Sequence, residues 1–557
     1  MLLLLMTVVV IGALAISERE PLRVLFTAAS FAVLSGVLML VLGDLERAMG
    51  LAALLFVAIA AVSRIKQHHS GRKLIAADLP LLFAGTVPFM MTQYRRTMLL
   101  ILAGFACLVL ASGSLLAAPG GSALTVGTRG AVLAVSVCVA AMIYRIGGGA
   151  PGFTHGIEQP HGFLSTYLAS LIDPRTWRAS DGLRIADIAE QPLALLPASP
   201  ARGERMPDII VIQHESVFDP RLYGVSVDAD VAAFLSPAGS ITGTLNVDIF
   251  GGGSWQSEFS VVTGLSSMSF GNDAYFLLER GVGRFHHTLP KSLASLGYRS
   301  LLLSSCRRGF LNYDAYYRAK GFDERLFSDD LLKPAALEPF EATHSDAIFL
   351  EAALSAHAAR AARDPAPLFA YVLTNFNHGP HERRLAAEEH HARARAFVST
   401  QMPDPQYVEY YARLSETAAA WRQARARLQA EFPERPFLVV HYGDHQPVMT
   451  RRIEKHLALP PDGRRAFRTF YAIEGLNFTP EHAAQQPPRE LDIAFLGTVA
   501  MQAAGLPLDP VTATRASLIK ECGSAYFASH SARKRRFHRT LVEMGLVEAN
   551  GTRRSGS

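Results

Sequence analysis

The first 146 residues contain apolar runs that limit strongly how this chain can fold. Five such runs are Leu2–Ile16, Val24–Leu42, Met49–Ser63, Met98–Ala118 and Ala131–Tyr144. A weaker sixth run, Leu79–Thr92, is interrupted by two prolines. A bilayer core of about 30 Å is crossed by roughly 20 helical residues, so several runs are long enough to span a membrane. One N-terminal run alone would fit a signal peptide, but five in succession do not. We therefore predict a transmembrane domain over residues 1–146 with five or six helices.

The charged residues are distributed unevenly along the chain. Residues 1–146 carry 11 basic and 5 acidic side chains, a net charge of +6, whereas all 557 residues sum to +5. The remaining 411 residues are therefore nearly neutral, at −1. Because the positive charge flanks apolar segments, the expected partner is lipid, and no nucleic-acid-binding surface is indicated.

The loop charges alone do not decide the orientation in the membrane. The loops Ser17–Arg23 and Arg64–Lys73 lie on one side and together contain six Lys or Arg. If Leu79–Thr92 spans the membrane, the domain that follows lies on the opposite side, which the positive-inside rule makes external. If Leu79–Thr92 lies in the interface, the same rule places that domain in the cytoplasm.

Beyond the apolar region, the sequence predicts an α/β domain. Residues 147–206 are predicted to form a linker with interfacial helices, since the segment begins with many glycines and prolines. Over residues 207–557, β-branched runs alternate with helix-like stretches, which predicts a mainly parallel sheet sandwiched by helices. The strand candidates are Asp208–Gln213, Ser300–Ser304, Leu368–Leu373 and Phe437–His441, and Tyr407–Glu431 is a predicted helix. Such sheets place their chemistry just beyond the C-terminal strand ends.

Candidate metal ligands follow two of these predicted strands. Glu215 comes shortly after Asp208–Gln213, and the adjacent pair Asp444 and His445 comes shortly after Phe437–His441. Carboxylate and imidazole ligands suit a divalent ion such as Mn²⁺ or Zn²⁺. An Asp-His pair considered alone is weak evidence for a metal, because such a pair more often lies in a solvated loop.

Two further residues are candidates for catalysis. Ser254 follows three consecutive glycines, which let the backbone approach a ligand closely and leave the hydroxyl unobstructed as a nucleophile. A flexible turn is the alternative interpretation of the glycines, and a Walker phosphate loop is excluded because no Gly-Lys-Ser/Thr follows. His378 follows Leu368–Leu373, and its imidazole could move a proton or bind a phosphoryl oxygen.

The order of these motifs resembles that of a known family. An apolar strand with Gln-x-Glu-Ser precedes a Gly-rich Ser-x-x-x-Glu segment, Phe-x-Asn-x-Asp, Asn-His and Tyr-Gly-Asp-His. This order is similar to the lipoteichoic acid synthase and phosphoglycerol transferase branch of the alkaline phosphatase and sulfatase superfamily, from about Pro207 to about Pro510. The resemblance implies one divalent ion, Mn²⁺ first with Zn²⁺ or Mg²⁺ as alternatives, and a substrate-binding role for His378. The implied metal ligands are Glu215, Ser254, Asp444 and His445.

The stretch around residue 310 departs from the family pattern. Lipoteichoic acid synthases carry Trp and Arg, which help to bind glycerol phosphate, where this chain has Leu311 and Tyr313, and Cys306 replaces an acidic residue. The head group or the acceptor is therefore expected to differ, with Arg307 or Arg308 supplying positive charge. The full set of predicted substrate contacts is Trp255, Arg307, Arg308, Asn312 and Asn377.

Sulfate ester hydrolysis is disfavoured. Sulfatases of this superfamily convert a Cys or Ser followed by x-Pro-x-Arg into formylglycine. Ser254 is followed by Gln256 at the second position and Glu258 at the fourth, so that conversion is not expected.

Together these features predict a metal-dependent transferase. It would move a phosphoglycerol head group from phosphatidylglycerol to a hydroxyl of an envelope glycan or polyglycerol phosphate through a phosphoserine. The alternatives are phosphoethanolamine transfer and a non-catalytic membrane sensor.

The resemblance implies a multi-pass protein of the bacterial inner membrane with an extracytoplasmic active site, and we adopt that orientation. Five spans with an interfacial segment is the commoner family arrangement and conflicts with the loop charges.

Cys306 and Cys522 leave room for one disulfide in an oxidising compartment.

Overall fold

A computed structural model of the chain divides into two compact units, Met1–Asp181 and Gly182–Ser557, called below the helical unit and the sheet unit. The structure describes residues 17–70, 72–79, 94–117, 124–154, 161–174, 183–186, 188–201, 205–332, 345–481 and 489–552, and also residues 12, 87, 90 and 91. The predicted runs Leu2–Ile16 and Leu79–Thr92 therefore lie almost entirely outside the described residues.

The helical unit contains apolar helices that are consistent with a membrane anchor. Its helices are α1 Pro21–Leu42, α2 Leu45–Ser70, α3 Arg95–Ala117, α4 Val126–Ile146, α5 Gly149–Thr154 and α6 Phe163–Ile172, with a 3₁₀ turn at Ala76–Asp78. Within the described part of the chain, α1 to α4 are the four helices long and apolar enough to cross a membrane. Helix α1 begins at Pro21, a residue tolerated in a first helical turn, and ends at Gly43 with φ 75°.

Helix α1 packs antiparallel to α4. The ring of Phe26, near the start of α1, lies 5.8 Å from that of Tyr144, near the end of α4. Further along α1, Gly36 faces Leu133 in the first half of α4. The end of α4 therefore lies on the same side of the helical unit as the start of α1.

Helix α2 packs antiparallel to α3, because Gly50 near the start of α2 lies against Leu115 near the end of α3. The end of α2 and the start of α3 consequently lie on one side. The exit of α4 then shares its side with the basic loops.

Several cations in those loops are held in internal pairs. Lys66 Nζ lies 2.6 Å from Asp78 Oδ2, and Lys73 donates to the carbonyl of His161 at 2.7 Å. Arg23, with 4% of its surface exposed, donates to the carbonyl of Phe153 at 2.7 Å. The positive-inside rule counts basic side chains that face the cytoplasm, so buried, paired cations weaken its use for this chain.

The sheet unit is an α/β domain. Its strands are β1 Leu183–Ala186, β2 Asp208–His214, β3 Ile241–Asn246, β4 Arg299–Ser304, β5 Glu324–Leu326, β6 Leu368–Leu373, β7 Phe437–Gly443, β8 Arg468–Leu476, β9 Glu490–Asp492 and β10 Ala549–Thr552. Its helices are α7 Ala229–Leu235, α8 Trp255–Thr263, α9 Leu277–Arg280, α10 Leu289–Ala294, α11 Tyr313–Lys320, α12 Ser328–Leu331, α13 Asp346–Ala361, α14 Glu388–Ser399, α15 Pro405–Glu431, α16 Thr450–His456, α17 Leu496–Ala503, α18 Pro510–Cys522 and α19 Ala532–Glu543. Four 3₁₀ segments are Pro220–Tyr223, Ser267–Phe276, Arg465–Phe467 and Ile493–Phe495.

Eight strands form the central sheet, in the order β5-β4-β6-β2-β7-β8-β3-β9. The run from β5 to β7 is parallel, whereas β8 is antiparallel to both β7 and β3. Strands β1 and β10 form a separate parallel pair. The predicted mainly parallel sheet is confirmed, and the four strand candidates correspond to β2, β4, β6 and β7.

Strand β2 shows why this sheet is covered on both faces. All of its residues are buried. Ile209 and Val211 pack into one hydrophobic cluster, and Ile210 and Ile212 pack into the cluster on the opposite face. Alternate side chains point to opposite faces of a strand, so a continuous apolar run requires helices on both sides.

The sheet register brings the candidate site residues to one edge. His214 at the end of β2 pairs with Gly443 at the end of β7, and Gln213 pairs with Leu373 at the end of β6. The chain segments that follow these three strands therefore leave the sheet side by side.

Candidate metal centre and nucleophile

Glu215, Asp444 and His445 converge where β2 and β7 end. Each offers one ligand atom, and these atoms lie within 4.8 Å of one another. His445 Nε2 is 3.3 Å from Glu215 Oε1 and 3.6 Å from Asp444 Oδ2. All three side chains are buried, so the cluster lies within the domain and not on an open loop.

Main-chain hydrogen bonds hold this cluster in place. The amides of Ser216 and His445 both donate to Asp444 Oδ1, at 2.7 and 2.8 Å. Ser216 has φ 57°, a conformation uncommon for a residue with a side chain, and its hydroxyl donates to Glu215 Oε1 at 2.8 Å. These bonds couple the turn after β2 to the turn after β7.

The imidazole of His445 is oriented by a carbonyl group. Its Nδ1 lies 3.1 Å from the carbonyl oxygen of Gln446. A proton on Nδ1 satisfies that oxygen and leaves Nε2 as the ligand atom facing the two carboxylates.

Ser254 lies beside the same cluster. Its hydroxyl donates to Glu215 Oε2 at 2.8 Å and lies 3.4 Å from His445 Nε2. The three preceding glycines have φ values of 81°, 145° and 91°, which residues with side chains rarely adopt. The chain then enters α8 directly after Ser254, so the hydroxyl is presented from the first turn of a helix.

The three ionisable side chains of the cluster shift one another's pKa values. Burial and the neighbouring Glu215 carboxylate raise the pKa of Asp444 to about 8. Burial acts to lower the pKa of His445, but the carboxylates of Asp444 and Glu215 outweigh it and raise that pKa to about 9. Burial also opposes ionisation of Glu215, yet the charge of His445 and its hydrogen bond hold the pKa of Glu215 below its usual range.

These residues fit a divalent cation. Asp444 Oδ2 is buried and, within the described residues, accepts no hydrogen bond. No Lys or Arg of the described chain forms an ion pair with Glu215 or Asp444 at this site. Burying two carboxylates without a Lys or Arg partner costs desolvation free energy, which a bound cation would offset. Oxygen and nitrogen donors at these separations suit Mn²⁺, Zn²⁺ or Mg²⁺.

His378 follows β6 and lies close enough to this cluster for its charge to contribute to the lowered pKa of Glu215, after burial and the effects of His445. Its Nδ1 lies 2.6 Å from the carbonyl of Gly379, which orients the ring. The backbone of this loop is held by Arg413, a side chain with no exposed surface on α15.

Three of the predicted substrate contacts are bonded to other parts of the chain. The guanidinium of Arg308 donates to Asp314 at 2.9 Å and to Asp330 at 2.7 Å. Asn312 donates to the carbonyl of Leu278 at 2.8 Å. The side chain of Asn377 is fully buried and donates to Thr417 Oγ1 at 2.8 Å. Substrate contact by these side chains would require these bonds to be shared or broken.

Trp255 and Arg307 are more accessible. Trp255 is half-buried, donates from Nε1 to the carbonyl of Tyr275 at 2.9 Å and packs edge-on against that ring. The side chain of Arg307 is 38% exposed, and its Nε lies 3.9 Å from Asp329. Their roles in binding substrate stay predictions.

The structure also reveals contacts that sequence reasoning missed. Tyr313, expected to mark a difference in substrate contact, is buried and donates to Glu258 at 3.2 Å. Tyr317, four residues later on the same helix face, donates to the same carboxylate. Their spacing, and the position of Glu258 four residues after Ser254, were the available signals.

The disulfide for which Cys306 and Cys522 leave room does not form, since both thiols are free. Cys522 is buried in the core on α18 and donates to Ser529 Oγ at 3.2 Å. Cys306 lies in the turn after β4, and its carbonyl accepts from the amide of Ser328.

Comparison with known proteins identifies the domain. Residues 207–470 match the Sulfatase family model. A curated relative from Haemophilus influenzae, described as an uncharacterized protein, is 28% identical over 325 residues. That alignment covers 55% of this chain and 54% of the relative, so the chain spans about half of the relative's length.

One solved structure shares the fold over most of the chain, and two others are similar over a smaller part. The integral membrane protein lipooligosaccharide phosphoethanolamine transferase A from Neisseria meningitidis is 12% identical, with a TM-score of 0.53, over 83% of this chain and 88% of that one. A phosphoglycerol transferase from Streptococcus pyogenes, in complex with sn-glycerol-1-phosphate, is 19% identical with a TM-score of 0.45, over 61% and 85%. A lipoteichoic acid synthase from Listeria monocytogenes is 14% identical with a TM-score of 0.43, over 59% and 76%.

Residues 207–470 therefore form a sulfatase-type domain, as the motif order predicted, and within the described residues four apolar helices precede it.

Proposed function

We propose that this protein is a metal-dependent phosphotransferase that moves a phosphoglycerol head group from phosphatidylglycerol to an envelope glycan or polyglycerol phosphate. The observation that carries the proposal is the position of the Ser254 hydroxyl, 2.8 Å from Glu215 and 3.4 Å from His445. A serine at that position can act as a nucleophile toward a phosphodiester.

The metal site is proposed to consist of Glu215, Asp444, His445 and Ser254. A divalent ion bound there would act as a Lewis acid toward a phosphoryl oxygen and lower the pKa of the serine hydroxyl. Superfamily likeness and the buried carboxylate pair support a divalent ion, and Mn²⁺ is our proposal for its identity.

In the first step, Ser254 gives its proton to solvent and its Oγ forms a bond to the phosphorus of the lipid. The bond between phosphorus and the diacylglycerol oxygen breaks, and that oxygen takes a proton, which we assign to His378. In the second step, the acceptor oxygen forms a bond to phosphorus while the bond between phosphorus and Ser254 Oγ breaks, and His378 accepts the proton of the acceptor hydroxyl. Ser254 Oγ regains a proton from solvent and the enzyme returns to its starting state.

The domain is proposed to lie outside the bacterial inner membrane. The donor is a membrane lipid and the acceptors are envelope components, so an anchored external domain has access to both. The internal pairing of Arg23, Lys66 and Lys73, three of the six loop cations, weakens the objection from loop charge.

The test is direct detection of the intermediate. Purified protein would be incubated with Mn²⁺ and phosphatidylglycerol labelled in the head-group glycerol, and the peptide containing residue 254 analysed by mass spectrometry. We expect a phosphoglycerol adduct on Ser254 that Ser254→Ala lacks and Ser240→Ala, in the turn before β3, retains. An adduct only with phosphatidylethanolamine would assign the alternative head group. No adduct with either lipid, despite bound metal, would favour the non-catalytic sensor.

A further inference from the structure

Glu258 is a buried carboxylate without a cationic partner, one helical turn after Ser254. Only 1% of its surface is exposed. It accepts hydrogen bonds from the hydroxyls of Tyr313, at 3.2 Å, and Tyr317, and from the amide of Gln213 at 3.0 Å. No Lys or Arg within the described chain bonds to it.

The network around Glu258 connects the segments that carry the site. Gln213 lies two residues before Glu215 on the β2 strand end. Its amide oxygen accepts from Tyr442, which lies two residues before Asp444 on β7. The hydroxyl of Tyr442 lies 2.6 Å from that of Tyr371 on β6, the strand that leads to His378.

Helix α8 joins this network through its first turn. The amide of Glu258 donates to the carbonyl of Ser254 at 3.1 Å, so the two residues are linked by one backbone hydrogen bond. The side chain of Glu258 therefore bonds the helix bearing the nucleophile to the strand ends bearing the metal ligands, beside a second bond from Ser257 Oγ to the carbonyl of Asp444 at 2.6 Å.

Placing a carboxylate at this buried position carries a desolvation cost. Burial raises the pKa of Glu258 to about 7 against the effect of its three donors. An apolar side chain would avoid the desolvation of a carboxylate but would supply no directional bond. Fully bonded polar networks define a single arrangement of the elements they join, which apolar packing does less well.

We propose that Glu258 is a positioning residue that sets the place of the Ser254 hydroxyl relative to Glu215 and Asp444. This inference rests on the proposed function of Ser254. Glu258 does not contact the reacting atoms. It acts by bonding α8, through Gln213 and the two tyrosines, to the edge of the sheet. Displacements of about 1 Å are enough to slow a reaction roughly 10²-fold.

Two adjacent tyrosines of α11 provide a matched test. Tyr316 and Tyr317 are both fully buried, but the Tyr316 hydroxyl makes no hydrogen bond within the described residues, whereas that of Tyr317 bonds to Glu258. We expect Tyr317→Phe to lower kcat for head-group transfer roughly 10²-fold with little change in KM or in Mn²⁺ affinity. Tyr316→Phe should leave kcat unchanged.

Substitution at Glu258 itself provides a conservative rescue. The two tyrosines donate to different oxygens of Glu258. Glu258→Gln keeps one acceptor oxygen and should retain more activity than Glu258→Leu, which keeps none. Hydrogen exchange of residues 251–258 needs no substrate and is measured on the same variants. It should accelerate in Tyr317→Phe and Glu258→Leu but not in Tyr316→Phe.

The outcomes separate this inference from the proposed function. If Tyr317→Phe and Tyr316→Phe agree in both kcat and exchange, Glu258 has no positioning role. If the unmodified protein forms no adduct on Ser254, the proposed function fails, and the exchange comparison still decides whether Glu258 holds the segment.

Discussion

Arg413 donates a hydrogen bond of 2.9 Å to the main-chain carbonyl of His378, from a side chain with no exposed surface. The same guanidinium donates to the carbonyls of Pro380 at 3.1 Å and Arg383 at 2.7 Å, while its Nε bonds to Glu409 at 3.0 Å. With a fourth bond, to the carbonyl of Phe376 at 3.4 Å, a buried arginine with an acidic partner thus holds four carbonyls of the loop that carries the proposed proton donor.

Substitution of Arg413 should impair reaction with the lipid donor and leave metal binding unchanged. Lysine in Arg413→Lys keeps the charge, but its single nitrogen cannot reproduce the planar fork that reaches several carbonyls. We expect kcat/KM for the lipid donor to fall roughly 10²-fold because His378 loses its support. Mn²⁺ affinity, measured by titration, should stay unchanged, since the ligands belong to the β2 and β7 ends.

Arg395 supplies the matched control for that prediction. It pairs with the same Glu409 at 2.6 Å but donates its other bond to the carbonyl of Ala386, near the far end of the loop and eight residues after His378. Arg395→Lys should therefore retain most of the activity. Equal losses in the two variants would show that the acidic partner, and not the loop contact, governs activity.

Removal of one carboxylate charge should abolish tight metal binding. Asp444→Asn keeps an oxygen that can accept from Ser216 and His445 but removes the negative charge. Substitution of a residue that hydrogen-bonds to a metal ligand lowers metal affinity about 10–100-fold. Loss of the charge of the ligand itself should lower metal affinity by more than this. The control is Asp492→Asn, since Asp492 is also buried but caps a 3₁₀ turn away from the cluster. Metal content after dialysis measures both variants, and equal Mn²⁺ retention would contradict the ligand assignment.

Part of this site was predictable because parallel strands end at one edge of their sheet. The polar residues after Asp208–Gln213 and Phe437–His441 were therefore expected near each other. Their actual contact depends on β2 lying between β6 and β7, an order set by long-range packing that no local pattern encodes. The glycines before Ser254 indicated its exposure, but its hydrogen bond to Glu215 required the folded domain.

Substrate contacts were less predictable because the same residue types serve internal bonds. Arg308 has the charge that a phosphate site needs, yet Asp314 and Asp330 bind it from different segments. Asn377, next to His378, turns inward to Thr417. Neither partnership follows from the spacing of residues along the chain.

The antiparallel packing of the helices predicts which helix ends lie on the same side of the membrane, and a labelling reagent can test this. In a cysteine-free background, His68→Cys near the end of α2 and Gly148→Cys after α4 should react with an impermeant maleimide from the same side. Thr125→Cys, at the start of α4, should react from the opposite side. Because we place the sheet unit outside, the first two should label in intact spheroplasts and Thr125→Cys only after lysis. Labelling of His68→Cys and Gly148→Cys from opposite sides would contradict the helix arrangement.

Lys320 should reduce stability at neutral pH. It is fully buried at the end of α11, its Nζ makes no hydrogen bond within the described residues, and burial lowers its pKa well below the usual value. Its nitrogen lies 4.0 Å from the ring centre of Phe285, and this contact recovers part of the lost hydration only while the amine is charged. Lys320→Met should therefore stabilise the sheet unit by about 1–3 kcal/mol at pH 7, measured by denaturant unfolding.

The same substitution has a pH dependence of defined sign. The unfolded lysine holds its proton up to a pKa of about 10.4, whereas the folded one releases it at lower pH, helped by the positive charge of Lys291. Between these two pKa values the unfolded state binds more protons, so the stability of the unmodified protein rises with pH. The advantage of Lys320→Met should accordingly shrink as the pH increases from 7 to 10. Lys455→Met, at an exposed position on α16, should change stability by less than about 0.5 kcal/mol throughout. A constant advantage across this range would mean that the gain comes from packing and not from the buried amine.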